Sequence, residues 1–366
     1  MVRLALTAVV LAIASICSLS ATAGATAPRD GLGLFVADDD WDYANPGALP
    51  ALGADFERLR PRVFRLQTIW NTVDRPEWLL RTETMIAQAR SRGAQQIVLT
   101  LRSNNPANVG PEGYFPTPDQ YRAKVEPLVR RLAAQVDVWG PANEPNIAWR
   151  PKEDPAGQAP LDPVTLAGYY GALQVAVRRH DPSALVSSPD FLDAGSLAAF
   201  TDYVTTYSTA AGGGWGDVVA FHPYGDVKQA IAPDSPAGFT DALSALIPPD
   251  RDIWITEVGA HYEGDPAAQA ARVAWIANVL ANHPRVERVA YYNLRGGGAD
   301  WDTGLFDADF TRRPAWYAWC AATHGDDPTH PDCAPPPPGA NGPGCIAYFV
   351  EYLLLDTREW PGVRCV

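Results

Sequence analysis

The 366-residue chain reads as an α/β protein, a (β/α)8 TIM barrel with a short disulfide-stapled C-terminal extension. Three observations predict this. Eight short β-branched and aromatic runs alternate with amphipathic segments, the pattern of a parallel sheet built from βα units. The chain is long enough for one barrel of ordinary size plus an appendage. Cysteine is confined, outside the leader, to the last 47 residues.

Residues 1–23 have the form of an export signal. Arg3 supplies the positive end, Leu4 to Cys17 the apolar stretch, and Ala21-Thr22-Ala23 a small-residue cleavage site. The apolar run is too short for a transmembrane helix, and Ile16 before Cys17 speaks against lipid attachment. A secreted protein, extracellular or cell-wall associated, is expected. Residues 24–324 form the barrel. Its strands are expected at Gly31–Ala37, Val63–Trp70, Gln96–Arg102, Val136–Gly140, Leu185–Asp190, Val218–Tyr224, Ile253–Glu257 and Val286–Leu294. Helices are expected at Glu77–Arg92, Pro118–Gln135, Pro163–His180, Ser196–Ser208, Gly238–Leu246, Pro266–Asn282 and Pro314–Thr323. The helix after Glu257 is the clearest. Asp265 suits the N-cap and Pro266 the first turn, while Val273, Ile276, Ala277 and Leu280 share a face. A doubly wound nucleotide-binding sheet also alternates, but Gly31-Leu32-Gly33-Leu34 lacks the third glycine and leads into Asp38-Asp39-Asp40, not a helix.

Residues 325–344, centred on Pro335–Pro338, read as a stiff spacer, and 345–366 as an extension too short to fold without staples. Cys320, Cys333, Cys345 and Cys365 suit two disulfides in an oxidising compartment. Three connectivities are possible; the sequence-local pairing Cys320–Cys333 and Cys345–Cys365 is preferred. With six histidines and no close Cys-x-x-Cys or His-x-His pair, no metal or other cofactor is expected. The formal charge of −13 becomes more negative once Arg3 leaves with the signal. Such a surface repels nucleic acid and anionic membrane and leaves a neutral substrate as the easier partner.

Two glutamates carry the functional reading. Glu144, in Val138-Trp139-Gly140-Pro141-Ala142-Asn143-Glu144-Pro145, and Glu257, in Ile253-Trp254-Ile255-Thr256-Glu257, each close a strand. A carboxylate at the end of a buried strand is costly without a task or a partner. In a barrel the strand ends open on one face, so strands four and seven would set the two acids across one mouth. Retaining glycoside hydrolysis needs such a pair, with a protonated acid for the leaving oxygen and an ionised nucleophile for the anomeric carbon. Arg65 on strand two can hold a carboxylate ionised. His222 and Tyr224 fall on one face of strand six by period two, and Asn143 can bind a sugar hydroxyl. In an ideal strand Asn143 and Glu144 point opposite ways, so both reach substrate only if the strand ends in a bulge or turn. Trp149 and Trp301, in loops after strands four and eight, can stack on a sugar face, as can Trp70, whereas Trp139 inside a strand suits the core. Asn104 and Asn105 are polar at the same mouth, and turn chemistry explains them equally well.

Asn-Glu-Pro closing strand four, His-x-Tyr on strand six and Thr-Glu-x-Gly on strand seven resemble clan A (the 4/7 superfamily) of retaining glycoside hydrolases. The resemblance covers roughly residues 31–323. Trp301-Asp302-Thr303-Gly304-Leu305-Phe306-Asp307 and Arg313-Pro314-Ala315-Trp316-Tyr317 are similar to the eighth-strand loop and last helix of several members. The resemblance implies Glu144 as acid/base, Glu257 as nucleophile, Asn143 on the 2-hydroxyl, and Arg65 and Tyr224 as supports of Glu257. One departure stands: strand eight offers Tyr291-Tyr292-Asn293 where many members carry a tryptophan, leaving Trp301 to supply the platform. No family within the clan is assigned. The expected activity is cleavage of a neutral, β-linked poly- or oligosaccharide; the alternative is a catalytically inactive cell-surface glycan-binding barrel, and a third reading is a metal-dependent hydrolase.

Overall fold

The computed structural model describes residues 31–36, 54–102, 115–147, 159–232, 235, 237–297 and 301–334. The expected signal at 1–23, Asp38–Asp40, Asn104, Asn105, Trp149, residues 335–344 of the expected spacer, Cys345, Cys365 and the rest of 345–366 lie outside the described residues.

Nine parallel segments form one sheet. They are β1 (Leu32–Val36), β2 (Val63–Ile69), β3 (Gln96–Arg102), β4 (Val138–Gly140), an interrupted β5 (Leu185–Val186 and Phe191–Leu192), β6 (Val219–His222), β7 (Ile253–Val258) and β8 (Val286–Tyr291). Counting β5 once gives the eight strands expected. β1 pairs with both β2 and β8. The ring closes through β5, whose first half pairs with β4 and second half with β6. Between the halves, Asp190 N–H donates to Ala142 O (2.9 Å) on one side and Ser188 N–H to Val218 O (2.9 Å) on the other. Pro189 has no N–H to give to a ladder, which explains why β5 is broken where the sequence suggested one continuous run.

The helices are α1 (Ala54–Arg58), α2 (Pro76–Ser91), α3 (Pro118–Leu132), α4 (Pro163–His180), α5 (Leu197–Ala210), α6 (Tyr224–Gln229), α7 (Phe239–Leu246), α8 (Pro266–Asn278) and α9 (Pro314–Thr323). Five start with proline at the first position, where the missing N–H costs nothing. Asp265 caps α8 through Ala267 N–H and Ala268 N–H (2.9 and 3.0 Å), and Thr117 with Gln120 forms a capping box at α3. Two differences from the sequence reading bear on the site. β6 stops at His222 because Pro223 follows, and Tyr224 opens the short helix α6 instead of ending the strand. α8 ends at Asn278, with a 3-10 turn over Leu280–Asn282.

Alternation along the strands divides the molecule into two apolar regions. Outward positions such as Phe64, Leu66, Leu99, Leu101, Phe221 and Ile255 join the helices in the main core. Inward, Val63, Val98, Val138, Val218 and Trp254, with Leu185 against them, fill the floor of the barrel. Above this floor the inward residues are polar or small: Arg65, Thr100, Gly140, Ser187, Ala220 and Thr256. A Cβ at Gly140 would come within 2.9 Å of Thr100 Oγ1, so this layer has no room for a side chain there. The small residues leave space for Arg65 to reach across the barrel. Among the described residues no helix is long and apolar enough to cross a membrane.

Candidate active site

Arg65 organises the mouth. Fully buried, it donates from Nη1 to Glu257 Oε2 (2.9 Å), from Nη2 to Asp190 Oδ2 (2.5 Å) and Asn143 Oδ1 (2.7 Å), and from Nε to Thr100 Oγ1 (3.3 Å). Burial works against its charge, but Asp190 and then Glu257 outweigh that and keep the guanidinium firmly protonated. Asn143 Oδ1 also accepts from Gln67 Nε2 (2.6 Å). Its carbonyl oxygen is thereby occupied, and the amide N–H groups remain for another acceptor.

Both glutamates reach the interior through breaks in strand regularity. Glu144 has φ +44°, in the left-handed region where a non-glycine residue is uncommon, and its N–H donates to Asp190 O (2.9 Å). That turn resolves the conflict between Asn143 and Glu144, so both side chains face the same mouth. On β7 the register with β8 shifts between Ile255 and Val258. The irregularity lets the neighbours Thr256 and Glu257 both point inward, which a regular strand forbids. An oxygen of Glu144 lies within 4.8 Å of one of Glu257, and His222 Nδ1 stands 2.9 Å from Glu144 Oε1 and 3.7 Å from Glu257 Oε2. Retaining pairs stand ~5–5.5 Å apart and inverting pairs ~6.5–9.5 Å.

The hydrogen-bond network locates a proton. Asp190 pairs with Arg65 and accepts from Thr256 Oγ1 (2.9 Å) and Thr100 Oγ1 (2.8 Å). Thr256 has then spent its hydrogen, so at 3.2 Å it accepts from His222 Nε2–H. A neutral His222 in that tautomer presents the Nδ1 lone pair to Glu144 Oε1 at 2.9 Å. Two acceptors do not approach so closely; one proton lies between them, on Glu144 or shared with His222.

Glu257 is held differently. Burial pushes its carboxyl above the ordinary range; His222 opposes this, a charge on Glu144 adds to it, and Arg65 and the Tyr224 O–H (3.0 Å to Oε1) pull it back down. With the proton on the Glu144 side, the repulsive contribution disappears and Glu257 is left facing donors. Tyr224 itself is kept protonated, first by burial and then by the charge of Glu257. Glu144, His222 and Glu257 have the spacing of three metal ligands. Arg65 already supplies the positive charge at Glu257, and a second cation there would meet it.

Trp301 is 46% exposed, with its ring edge-on to Tyr224 (5.1 Å between centroids) and to His261 (4.0 Å). Its neighbour Asp302 is pinned by both terminal nitrogens of Arg313 (2.7 and 2.8 Å) and by the N–H groups of Gly297 and Gly304. Tyr291 faces the other way, into the core, with its O–H on Thr303 O (2.8 Å). The structure thus brings together Glu144, Glu257, Arg65, Asn143, His222 and Tyr224, with Trp301 at the rim; Tyr224 arrives from a helix instead of the predicted strand. Trp70 is buried, 6.5 Å from Tyr121 between ring centroids, and Trp139 is in the core. The sequence reading missed Asp190, Gln67 and Thr256. Asp190 carried part of the signal of the two glutamates, a carboxylate at the end of an expected strand, and Gln67 lies two residues from Arg65 on the same strand.

Residues 141–317 match the family model described as the glycosyl hydrolase catalytic core. No curated protein matches the chain. Solved structures with a similar fold include a family 39 glycoside hydrolase from the gut symbiont Bacteroides cellulosilyticus, with TM-score 0.59 and 18% identity over 81% of this chain and 64% of that one. The chain therefore spans less than two thirds of that protein. A GH5_18 variant from Streptomyces cattleya in complex with Manb1-4GlcNAc gives 0.62 and 16% over 84% and 83%. Xylanase 10B from Thermotoga maritima gives 0.56 and 14% over 82% and 97%. These neighbours belong to families 39, 5 and 10, all clan A barrels. The resemblance read from the strand-end motifs agrees with these matches: residues 141–317 are similar to a glycosyl hydrolase catalytic core, and the solved neighbours share the (β/α)8 barrel fold.

Proposed function

We propose that this protein is an exported retaining glycoside hydrolase that cleaves a neutral, β-linked poly- or oligosaccharide by double displacement, with no cofactor. The reading rests on one observation above all, the approach of a Glu144 oxygen to within 4.8 Å of Glu257. That spacing leaves no room for the water that an inverting enzyme activates between its carboxyls.

In this mechanism Glu257, ionised among Arg65 and Tyr224, attacks the anomeric carbon. The proton held between Glu144 and His222 Nδ1 passes to the glycosidic oxygen, and the leaving group departs. Glu144, now a base, takes a proton from water, which attacks the glycosyl–enzyme ester and frees Glu257. Once that proton has gone, neither Glu144 nor His222 Nδ1 carries one until the water supplies it; His222 keeps its place throughout because Thr256 holds its other nitrogen. Asn143 offers its amide N–H groups to the sugar 2-hydroxyl, and the exposed face of Trp301 serves as the platform. Trp149 is assigned to substrate contact from its place in the sequence.

The test is turnover of a panel of β-linked oligosaccharides and aryl β-glycosides by Glu144→Gln and Glu257→Gln. Proton-transfer groups contribute about 10²–10⁴-fold, so Glu144→Gln should lose at least that factor on poor leaving groups. Glu257→Gln should be inactive on every substrate, and unimpaired turnover by either variant would end the proposal. A glycan-binding barrel without activity would retain the oligosaccharide and show no turnover in the parent protein.

A further inference from the structure

At the opposite end of the barrel a second cluster of ligating side chains has no part in the chemistry above. It follows α9, at the level of Arg60, whose Nη1 donates to Thr323 O (3.1 Å) just before β2 begins, so it lies at the base of the strands. His324, His330 and Asp332 each place one ligand atom within 4.8 Å of the others. We propose that these three residues form a divalent-cation site of the imidazole-and-carboxylate type that Zn²⁺ takes.

The distances are close to those of a coordination sphere. His324 Nε2 and His330 Nδ1 lie 3.6 and 3.7 Å from Asp332 Oδ2. Two ligands bound at ~2.0–2.1 Å to a tetrahedral ion are themselves roughly 3.3 Å apart, so a small contraction would bring all three into range. The tautomer of His324 is already set. Its Nδ1–H donates to Cys320 O (2.9 Å), which leaves the Nε2 lone pair directed toward Asp332. A backbone carbonyl behind a histidine is the usual outer support of a ligating imidazole. The two imidazole rings lie 4.1 Å apart with the carboxylate of Asp332 near both, an arrangement to which the catalytic proposal gives no task. Asp332 Oδ1 faces Arg58 Nε at 4.0 Å, so the second oxygen is the one turned to the histidines. The Asp332 N–H contact to His330 Nδ1, at 3.2 Å, is the one bond that an ion would replace.

The frame is preorganised by covalent chemistry. The Cys320–Cys333 disulfide ties the last turn of α9 to the residue after Asp332, with 13 positions between the cysteines. Closing such a loop restricts the unfolded chain. The ligand-bearing segment is therefore short and fixed at both ends, and three protein ligands leave a fourth position for water.

The experiment is calorimetric titration of the full, disulfide-intact protein, stripped with chelator, with ZnCl₂ and separately with CoCl₂. One equivalent of Zn²⁺ should bind, raise the melting temperature, and give tetrahedral cobalt absorption when Co²⁺ is used. His330→Ala and Asp332→Asn, both solvent-accessible and so safe for folding, should each weaken binding by about tenfold or more, since even loss of an outer support costs 10–100-fold. Absence of Zn²⁺ binding, or binding unchanged in both variants, would overturn the proposal. So would binding that appears only after phosphine reduction, because Cys320, Cys333 and His324 would then be the ligands.

Discussion

The floor and the mouth of this barrel are built from the same strands but by opposite rules. On the floor, Val63, Val98, Val138, Val218 and Trp254 follow strict inward alternation and fill the space with hydrocarbon. Two residues higher, the same positions carry Arg65, Thr100, Gly140, Ala220 and Thr256, and at the rim the alternation itself fails, at the left-handed Glu144 and the irregular stretch of β7. The floor gains from burial alone. The mouth buries four charged or protonated groups that are tolerable only because each has partners, and its geometry depends on backbone departures that apolar packing would never select. Stability and function are thus separated along the barrel axis, and substitutions in the two layers should have different signatures.

The largest effect is expected at Arg65. Arg65→Met leaves Asp190 and Glu257 buried without their common cation, a change that costs about 3–5 kcal/mol when one partner of a buried pair is removed. Activity should fall with stability, and addition of guanidinium ion should restore part of the rate. A variant with parental melting temperature and kcat would show that the mouth is not held by this residue. On the floor, Trp254→Ala removes a large buried side chain, and such truncations cost about 3–5 kcal/mol. Here kcat per folded molecule should stay within about twofold of the parent at low temperature, since additivity holds for groups without shared partners. A kcat loss as large as that of Arg65→Met would erase the distinction between the layers.

A smaller effect is expected at Asp193, which directly follows β5 and whose N–H donates to His222 O. Burial raises its carboxyl to about 8, while N–H groups of Asp226 and Gly225 pull down and the charges of Asp226 and Glu144 push up. The folded pKa is above the unfolded value of ~3.9, so folding favours the protonated form, and stability should decline as pH rises from ~4 toward ~8. Asp193→Asn, which mimics the neutral acid, should flatten this decline and melt a few degrees higher than the parent at neutral pH. An identical slope in both proteins would show that Asp193 is not the group responsible. The catalytic pair adds a kinetic counterpart. In the proposed mechanism activity needs ionised Glu257, whose carboxyl is raised by burial, so the acid limb of kcat/KM should lie above the ordinary glutamate value of ~4.3.

Much of this was legible in the chain before folding. Eight β-branched runs, the alternating helices and the carboxylates at strand ends are local patterns, and Glu144, Glu257, Arg65 and His222 could be placed in one mouth from the strand count alone. The routes by which they arrive were not legible. Tyr224 reaches Glu257 from the first turn of α6 because Pro223 ends β6, a competition between proline and a favourable strand composition. Asp190 escaped notice because it stands after Ser187-Ser188-Pro189, where the chain reads as strand but leaves the ladder. Its importance lies in contacts with Arg65 and Thr256, 125 and 66 positions away in sequence, and such contacts exist only once the barrel closes. The inward turn of Glu144 depends on a single positive φ, which no residue preference near Asn143 announces. The pairing of Cys320 with Cys333 was expected from proximity in sequence, whereas the meeting of His324, His330 and Asp332 beside it required the fold.

In the proposed mechanism Glu257 forms a covalent bond to sugar while Glu144 supplies the proton. The direct measurement is peptide mapping by mass spectrometry after incubation with an activated 2-deoxy-2-fluoroglycoside of whichever sugar the panel identifies. A glycosyl adduct is expected on the peptide containing Glu257, absent in Glu257→Gln and longer-lived in Glu144→Gln. A turned-over substrate with no adduct on any peptide and an inverted first product would contradict it.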